Sequence, residues 1–592
     1  MTTRFRAKAV LIFAGLLLRL VGGGAVSAAQ TVQPPAAGEH AQALYTEGMS
    51  DLRQGNLESA RTTFEKLVRL APNSPEAHNS LGWILFHQGQ VDSAISQFHL
   101  AIKLKPNFPQ AHLNLANGLA ANQDFAEAES EARDAVRLAP KDSESHRTLG
   151  RIQSLRGDLI GAISEMQAAI RLDPQRPDLH DDLGSLLDQS GETNDAAAQF
   201  SAALRLQPKF LRAKLHLGIV RWQQKALPQA HDLLLEAAQS DPTNAQAHYY
   251  LGRVLQDQQR SGPAIEEFKK AVSLQPDFAE AQRSLGLILQ RTGDAGGAVS
   301  AFRTVVQLQP KDPDAHNNLG LALIQSGDAV ASIPEFESAI AARPDDPGYL
   351  ANLGTAYLQK TDFDSAIKQF QFVLKIDPQD ATAHYDLGLA LKLKDELPDA
   401  IAEFRKAARL APNQPDIHYT LGVTLWQKGN FSDAENELHE AIRAQPDYAE
   451  AYYTLGTVLK QDKKLQDAVA ALRKAVSLQP GLVGAHTTLA AVLRQLGDTA
   501  AADAESRKAQ QLFAQSNSLQ TATFNTNSGN RLLQAGDLDG AILQFRSAIS
   551  AASDYAPAHL HLAEALQRKG QKAEAEEEFR KAAGLAHAKS QQ

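Results

Sequence analysis

Small and large apolar residues return along this chain on a single beat of 34 residues. The prolines mark it most plainly. Pro72, Pro106, Pro140, Pro174, Pro208, Pro242, Pro276, Pro310, Pro344, Pro378, Pro412, Pro446 and Pro480 stand 34 apart, with no insertion or deletion between them. A small residue lies 24 positions before each (Gly48, Gly82, Ala116, Gly150, and onward to Gly456), and another lies 12 before (Ala60, Ala94, Ala128 and onward, with Ser332 the exception). Eight before, most units carry a large apolar residue: Phe64, Phe98, Met166, Phe200, Leu234, Phe268, Phe302, Phe336, Phe370 and Phe404. A period of this length is the mark of a stacked repeat array.

Each unit is predicted to be a helical hairpin. Pairs such as Gly55-Asn56, Gly157-Asp158, Gly429-Asn430 and Gly536-Asp537 mark its turn. Glycine closes the first helix in a left-handed conformation, and Asn or Asp caps the second. Proline ends the second helix because it cannot continue one. The small residues let the two backbones approach. One hairpin cannot bury its apolar face alone, so neighbours must stack on one another.

Counted from Ala41, fourteen units fill residues 41–516; the fourteenth is weak, with Ala514 where proline is expected. The phase then slips over 517–521, which is expected to be a break or hinge. Two further units occupy 522–589, keeping Gly529, Ala541, Phe545 and Ala548, then Ala563, Ala575, Phe579 and Ala582. They are expected to dock on the rest, because two units stack poorly alone. Residues 590–592 form a tail, and Gly584–Gln592 is too short for a capping helix of its own.

The columns, Leu-Gly at positions 7 and 8, Ala at 20, Phe at 24, Ala at 27 and Pro at 32, resemble the tetratricopeptide repeat over nearly all of residues 41–589. The resemblance implies an all-α fold: a right-handed superhelical solenoid of about sixteen helix-turn-helix repeats. It also implies a concave groove lined by first helices and a protein-binding role. The units are similar to the repeat arm of O-linked N-acetylglucosamine transferases, without a catalytic domain. Asn114, Asn318 and Asn352 occupy position 6, where that arm carries an asparagine ladder; here Ser80, Thr148, Asp182, Tyr250, Ser284, Asp386 and Thr420 interrupt it. The carboxylate clamp of chaperone-binding relatives is incomplete too, with Arg147 and Arg151 following Asn114 and Asn117 as its nearest approach.

Positions 2, 5, 9 and 12 of a first helix share one stripe, since steps of three and four residues return to one face. In three consecutive units that stripe carries Tyr385, Tyr419 and Tyr453, then Leu389, Val423 and Thr457, then Lys392, Trp426 and Lys460. Aromatics flanked by lysines suit a peptide with apolar and acidic groups. The same tyrosines would equally fill the space between adjacent helices. Ten histidines (His78, His112, His146, His180, His248, His316, His384, His418, His486, His559) hold position 4. Rings one repeat apart are spaced poorly for a shared zinc, so the column is expected to pack rather than to bind metal.

Composition narrows the function. The 592 residues include no cysteine, which excludes disulfides, thiolate metal sites and Cys nucleophiles. The net charge of -9 argues against a nucleic-acid binder. His-Glu-x-x-His, Gly-x-Ser-x-Gly and phosphate-loop motifs are missing, His439-Glu440 has no second histidine, and Glu576-Glu577-Glu578 is expected to be a solvated face. No enzyme activity, cofactor or metal is therefore expected. Residues 1–29 have the layout of a secretory signal: Arg4, Arg6 and Lys8, an apolar run from Ala9 to Leu18, and small residues ending at Ala28 or Ala29. Its removal deletes four basic residues and no acidic one, taking the charge from -9 to -13. Residues 30–40 are expected to be a flexible linker. The expectation is a periplasmic or secreted scaffold with no transmembrane span after cleavage. An uncleaved tether is the alternative location. A subunit presenting substrates to a separate transferase, or a glycan- or peptidoglycan-binding solenoid, is the alternative function.

Overall fold

The computed structural model describes residues 38–590. The expected signal segment 1–29, most of the expected linker and the end of the tail lie outside the described residues. The first helix of the described residues begins at Glu39, two residues inside the expected linker 30–40. Among the described residues there are 31 α-helices and no strand. They fall into two units that divide at Pro310–Lys311. The first holds sixteen helices, from Glu39–Arg53 to Ala295–Leu308, and the second fifteen, from Pro313–Gln325 to Lys572–Ser590. Within each, successive hairpins stack side by side.

The turn at position 15 shows why the hairpins form. All sixteen residues there are left-handed: ten are glycines, such as Gly55 at φ +79° and Gly157 at φ +86°, and six are Gln123, Lys225, Gln259, Thr361, Asp395 and Lys463. The expected cap is made at six of the seven units whose next residue is Asp, with Asp158 accepting from the Gly161 N–H and Asp537 from the Gly540 N–H; Asp124 instead accepts from the Asn122 amide. Asn56 and Asn430 make no such bond; the Asn56 amide donates to Gln54 instead.

Positions 8 and 24 are complementary. A Cβ added to Gly82 would lie 2.6 Å from the Phe98 ring, and one on Gly320 2.6 Å from the Phe336 ring. Glycine thus makes the room that lets each ring be buried completely. Where alanine replaces the glycine, the ring is absent or displaced: Ala116 faces a unit with Ala132 at position 24, Ala490 one with Ser506, and Ala563 one whose Phe579 is only partly buried.

The expected break at 517–521 is a continuous helix instead. Thr499–Gln534 runs for 36 residues and serves as both the second helix of the fourteenth hairpin and the first helix of the fifteenth. No glycine or proline occurs between Thr499 and Ser528, so nothing ends it. Ordinary stacking is also undercut. The apolar residues of earlier units at positions 21, 24 and 28 (Val469, Leu472, Val476) become Asp503, Ser506 and Gln510. At position 3 the buried Ala485 becomes Phe524, which is 69% exposed. The last helix runs over Lys572–Ser590, and residues 584–590 continue it rather than forming a separate capping helix.

Candidate functional site

Position 4 is a staple between repeats. His112 Nδ1 lies 2.6 Å from Glu131 Oε2 on the second helix of its own hairpin, and Nε2 lies 2.9 Å from the Pro106 carbonyl of the preceding one. The same double contact recurs at His146 (Glu165, Pro140), His248 (Glu267, Pro242), His384 (Glu403, Pro378), His418 (Glu437, Pro412) and His486 (Glu505, Pro480). His559 does likewise with Glu578 and the Ser553 carbonyl, so the third acid of the Glu576 triplet is a staple partner rather than a solvated charge. His112, Glu131 and Asp134 bring three potential ligand atoms within 4.8 Å of one another. Both nitrogens of that ring are already engaged in hydrogen bonds.

On the first-helix face, polar groups pair across repeats at a separation of 35. Asn114 donates to Asn79 at 2.9 Å, Asn352 to Asn317 at 2.8 Å, and Trp426 Nε1 to Gln461 at 2.7 Å. Tyr385 Oη shares a 3.1 Å hydrogen bond with Thr420. Neighbouring first helices therefore meet one residue out of step, position 5 against position 6 and position 12 against position 13. This offset replaces the asparagine ladder: Asn352 bonds Asn317 rather than Asn318, which is partly buried beside it.

The tyrosines are partly buried. Tyr385 packs on Phe404 with centroids 5.7 Å apart, and Tyr419 on Tyr448 at 5.1 Å. Tyr453 packs against the apolar core of this region, as do Tyr385, Tyr419 and Trp426. The rings thus fill space between helices and keep only an edge for contact. Lys392 and Lys460, half-buried on either side of Trp426 in the position-12 row, have neither a hydrogen bond nor an ion pair among the described residues. Burial pulls the Lys392 ammonium below its ordinary pKa. Asp386, half-buried at position 6, likewise has no hydrogen-bond or ion-pair partner among the described residues, and burial, then Asp380, pushes its carboxyl up to about 6.

A charge network in the first unit was not legible in the sequence as a network. Arg147 pairs with Asp178 at 2.9 Å and Asp182 at 2.7 Å; Arg212 pairs with Asp181 and, at 2.8 Å, with Asp182; His216 reaches Asp181 at 3.0 Å. Positions 2, 5 and 6 of three successive first helices carry these groups, and the offset of one residue is the missing rule that joins them. It turns Arg147 into a structural cross-tie rather than half of a carboxylate clamp.

This geometry, repeated hairpin upon hairpin, defines a helical-repeat binding protein. Tetratricopeptide-repeat family models match residues 45–111, 182–347, 352–415 and 419–483, and a second such model matches 85–152 and 532–588. The chain belongs to the tetratricopeptide-repeat family, whose members bind peptides or proteins and are generally non-catalytic scaffolds. Among solved structures it is similar to MamA (residues 41 to end) from Desulfovibrio magneticus RS-1, at 26% identity over 30% of this chain and 99% of that one, TM-score 0.28. It is similar to the APC/C hetero-tetramer Cut9-Hcn1, at 14% identity over 89% of this chain and 96% of that one, TM-score 0.36. YrrB, described as a TPR protein with an unusual peptide-binding site, matches at 21% identity over 32% of this chain and 96% of that one, TM-score 0.28. No curated protein matches the sequence. Among the described residues no helix is long and apolar enough to cross a membrane.

Proposed function

We propose that this chain is a non-enzymatic scaffold acting outside the cytoplasm, and that it docks a peptide segment of a partner protein on the first helices Ala381–Leu393, Pro415–Gln427 and Ala449–Gln461. The observation that carries the site is the row Lys392–Trp426–Lys460: two cations without partners flank a ring that is only partly covered. Unpaired, half-buried charge costs folding free energy unless a partner supplies its complement. Here the complement is acidic side chains spaced around an apolar anchor. The tyrosine edges of Tyr385, Tyr419 and Tyr453 extend the apolar strip. Elsewhere on the face, one side of Trp83 is stacked on His87 at 3.7 Å and one side of Trp222 is covered by Arg253 at 4.8 Å, which favours peptide over sugar stacking there.

The location rests on residues 1–29, read as a cleaved signal. Mass spectrometry of the protein from fractionated cells is expected to find it in the extracytoplasmic fraction, beginning at Ala29 or Gln30. For the site, the full chain and a Lys392→Glu, Lys460→Glu variant are used to capture proteins from native envelope extract. The variant is expected to lose the partners that the parent retains. Equal capture by both would remove this site.

A further inference from the structure

Position 5 bonds position 6 of the next repeat at Asn79–Asn114, Arg147–Asp182, Asp181–His216, Asn317–Asn352 and Tyr385–Thr420, and the ionisable Asp386 at position 6 lacks such a partner. The residue 35 before Asp386 is Ala351, the smallest side chain in the position-5 column, where other units carry Tyr, Asn, Arg, Asp, Leu or Thr. Ala351 offers no hydrogen-bonding group, so the Asp386 carboxyl is left with none of the donors that Asp181 and Asp182 enjoy. Ala351 and Asp386 both keep part of their surface in water. The neighbouring rows are closed: Tyr385 is bonded to Thr420, and Thr454 lies 3.5 Å from Tyr419. The small residue and the orphan carboxyl therefore coincide at one point beside the tyrosine strip.

We infer that Asp386 is a cation-recognition point, and that the peptide docked on this face carries a lysine, an arginine or a terminal amine that reaches it over Ala351. The inference rests on the docking reading above and adds the partner's charge pattern. Asp386 and Lys392 lie on one helix six residues apart, about 9 Å along its axis and about 120° around it, so the axial distance is the least that a bound segment must span. An extended strand covers that distance in about three residues. The recognised segment thus runs basic, two intervening residues, acidic, or the reverse. The raised carboxyl, at about 6, is consistent with a site that waits for a cation.

The probes are fluorescein-labelled twelve-residue peptides on a Gly/Ser frame with one central tyrosine. One carries Lys-x-x-Glu, a second replaces Lys by Gln, and a third replaces Glu by Gln. Anisotropy is read with the full chain and with Asp386→Asn. The Lys-x-x-Glu peptide is expected to bind the parent at least tenfold more tightly than its Gln-x-x-Glu counterpart. Asp386→Asn is expected to remove that difference while the Glu-dependent difference, owed to Lys392, survives. The Lys preference is also expected to fade as pH falls through about 6. A Lys preference unchanged in Asp386→Asn overturns the inference. Loss of binding of every peptide in Lys392→Glu, Lys460→Glu with the Lys preference absent from the parent overturns only the cation point. No binding of any peptide to the parent overturns the docking reading with it.

Discussion

The imidazole of His112 stands between Glu131 Oε2 at 2.6 Å and the Pro106 carbonyl oxygen at 2.9 Å, two acceptors facing two ring nitrogens. A neutral imidazole has one N–H, so only the imidazolium satisfies both. His418 repeats the arrangement with Glu437 and Pro412. These two rings also have a second acid three residues beyond the first, Asp134 and Glu440. At that place the His248, His384 and His559 staples have Lys270, Lys406 and Lys581, each paired with the staple glutamate.

That difference predicts a pH dependence. The hydrogen bond to Glu131 raises the His112 pKa, burial opposes it, and the Pro106 carbonyl and Asp134 add to the rise; His418 is raised by Glu437 in the same way, with Glu440 contributing. A folded pKa above the unfolded one stabilises the protein fully below about pH 6.5, and the gain is lost as pH rises through the folded value. Hydrogen exchange at 104–118 and 410–424 is expected to speed up between pH 6.5 and 8.5 beyond the intrinsic change in exchange rate. In His112→Gln, His418→Gln that excess is expected to vanish. An excess that persists in the variant would assign it to other groups.

Gly320 and Phe336 predict the cost of disturbing the interlock at positions 8 and 24. The added methyl of Gly320→Ala meets the ring at 2.6 Å, and the ring is fully buried. Overpacking of this kind costs about 1–3 kcal/mol. Urea unfolding followed by circular dichroism is expected to show an earlier transition for the segment that contains this repeat. Gly327→Ala is the contrast: it has open space but φ +85°, so its cost is backbone strain of about 1–2 kcal/mol.

Thr361 points the other way. A β-branched residue at φ +63° occupies the position where ten of its fifteen counterparts are glycine. Thr361→Gly relieves a penalty of about 1–2 kcal/mol and gives back part of it through a more flexible unfolded chain. The net expectation is a gain of about 0.5 kcal/mol, read as a later midpoint in urea. A midpoint that moves earlier would mean that the turn holds threonine without strain.

The fold was legible in the sequence because its signal is redundant. Proline at 32, glycine at 8 and alanine at 20 each fix the same hairpin, so the loss of one, as at Ser332, leaves the unit readable. The first-helix face was less so. Tyr385, Lys392, Asn114 and Asn352 could be assigned to first helices from their register alone, but their partners depend on the offset between stacked helices. A period of 34 sets residues in columns; contact at 35 is a consequence of how the helices lie against one another, which no column displays. The histidine staples were hidden for a related reason: the glutamate 19 residues on is an ordinary surface residue until the hairpin closes. The slip at 517–521 misled because lost phase suggests lost structure. With neither glycine nor proline to stop it, the chain there does the simplest thing open to it and stays helical.

That helix gives the sharpest geometric prediction. From Ala504 to Asn527, both exposed, there are 23 residues, about 35 Å along a straight helix. The protein has no cysteine, so Ala504→Cys, Asn527→Cys carries two nitroxides and no others. Pulsed dipolar spectroscopy is expected to give one narrow distance near that length, broadened only by the spin-label arms. A hinge at 517–521 would give a broad distribution extending well below it. Ser518→Pro supplies the positive control: by removing an N–H and crowding the preceding turn it costs the helix about 3 kcal/mol, and it should convert the narrow distribution into the broad one. If parent and Ser518→Pro are both broad, helix 499–534 does not hold as one rod in solution. The end of the fourteenth repeat and the start of the fifteenth would then be separate elements, as the lost phase first suggested.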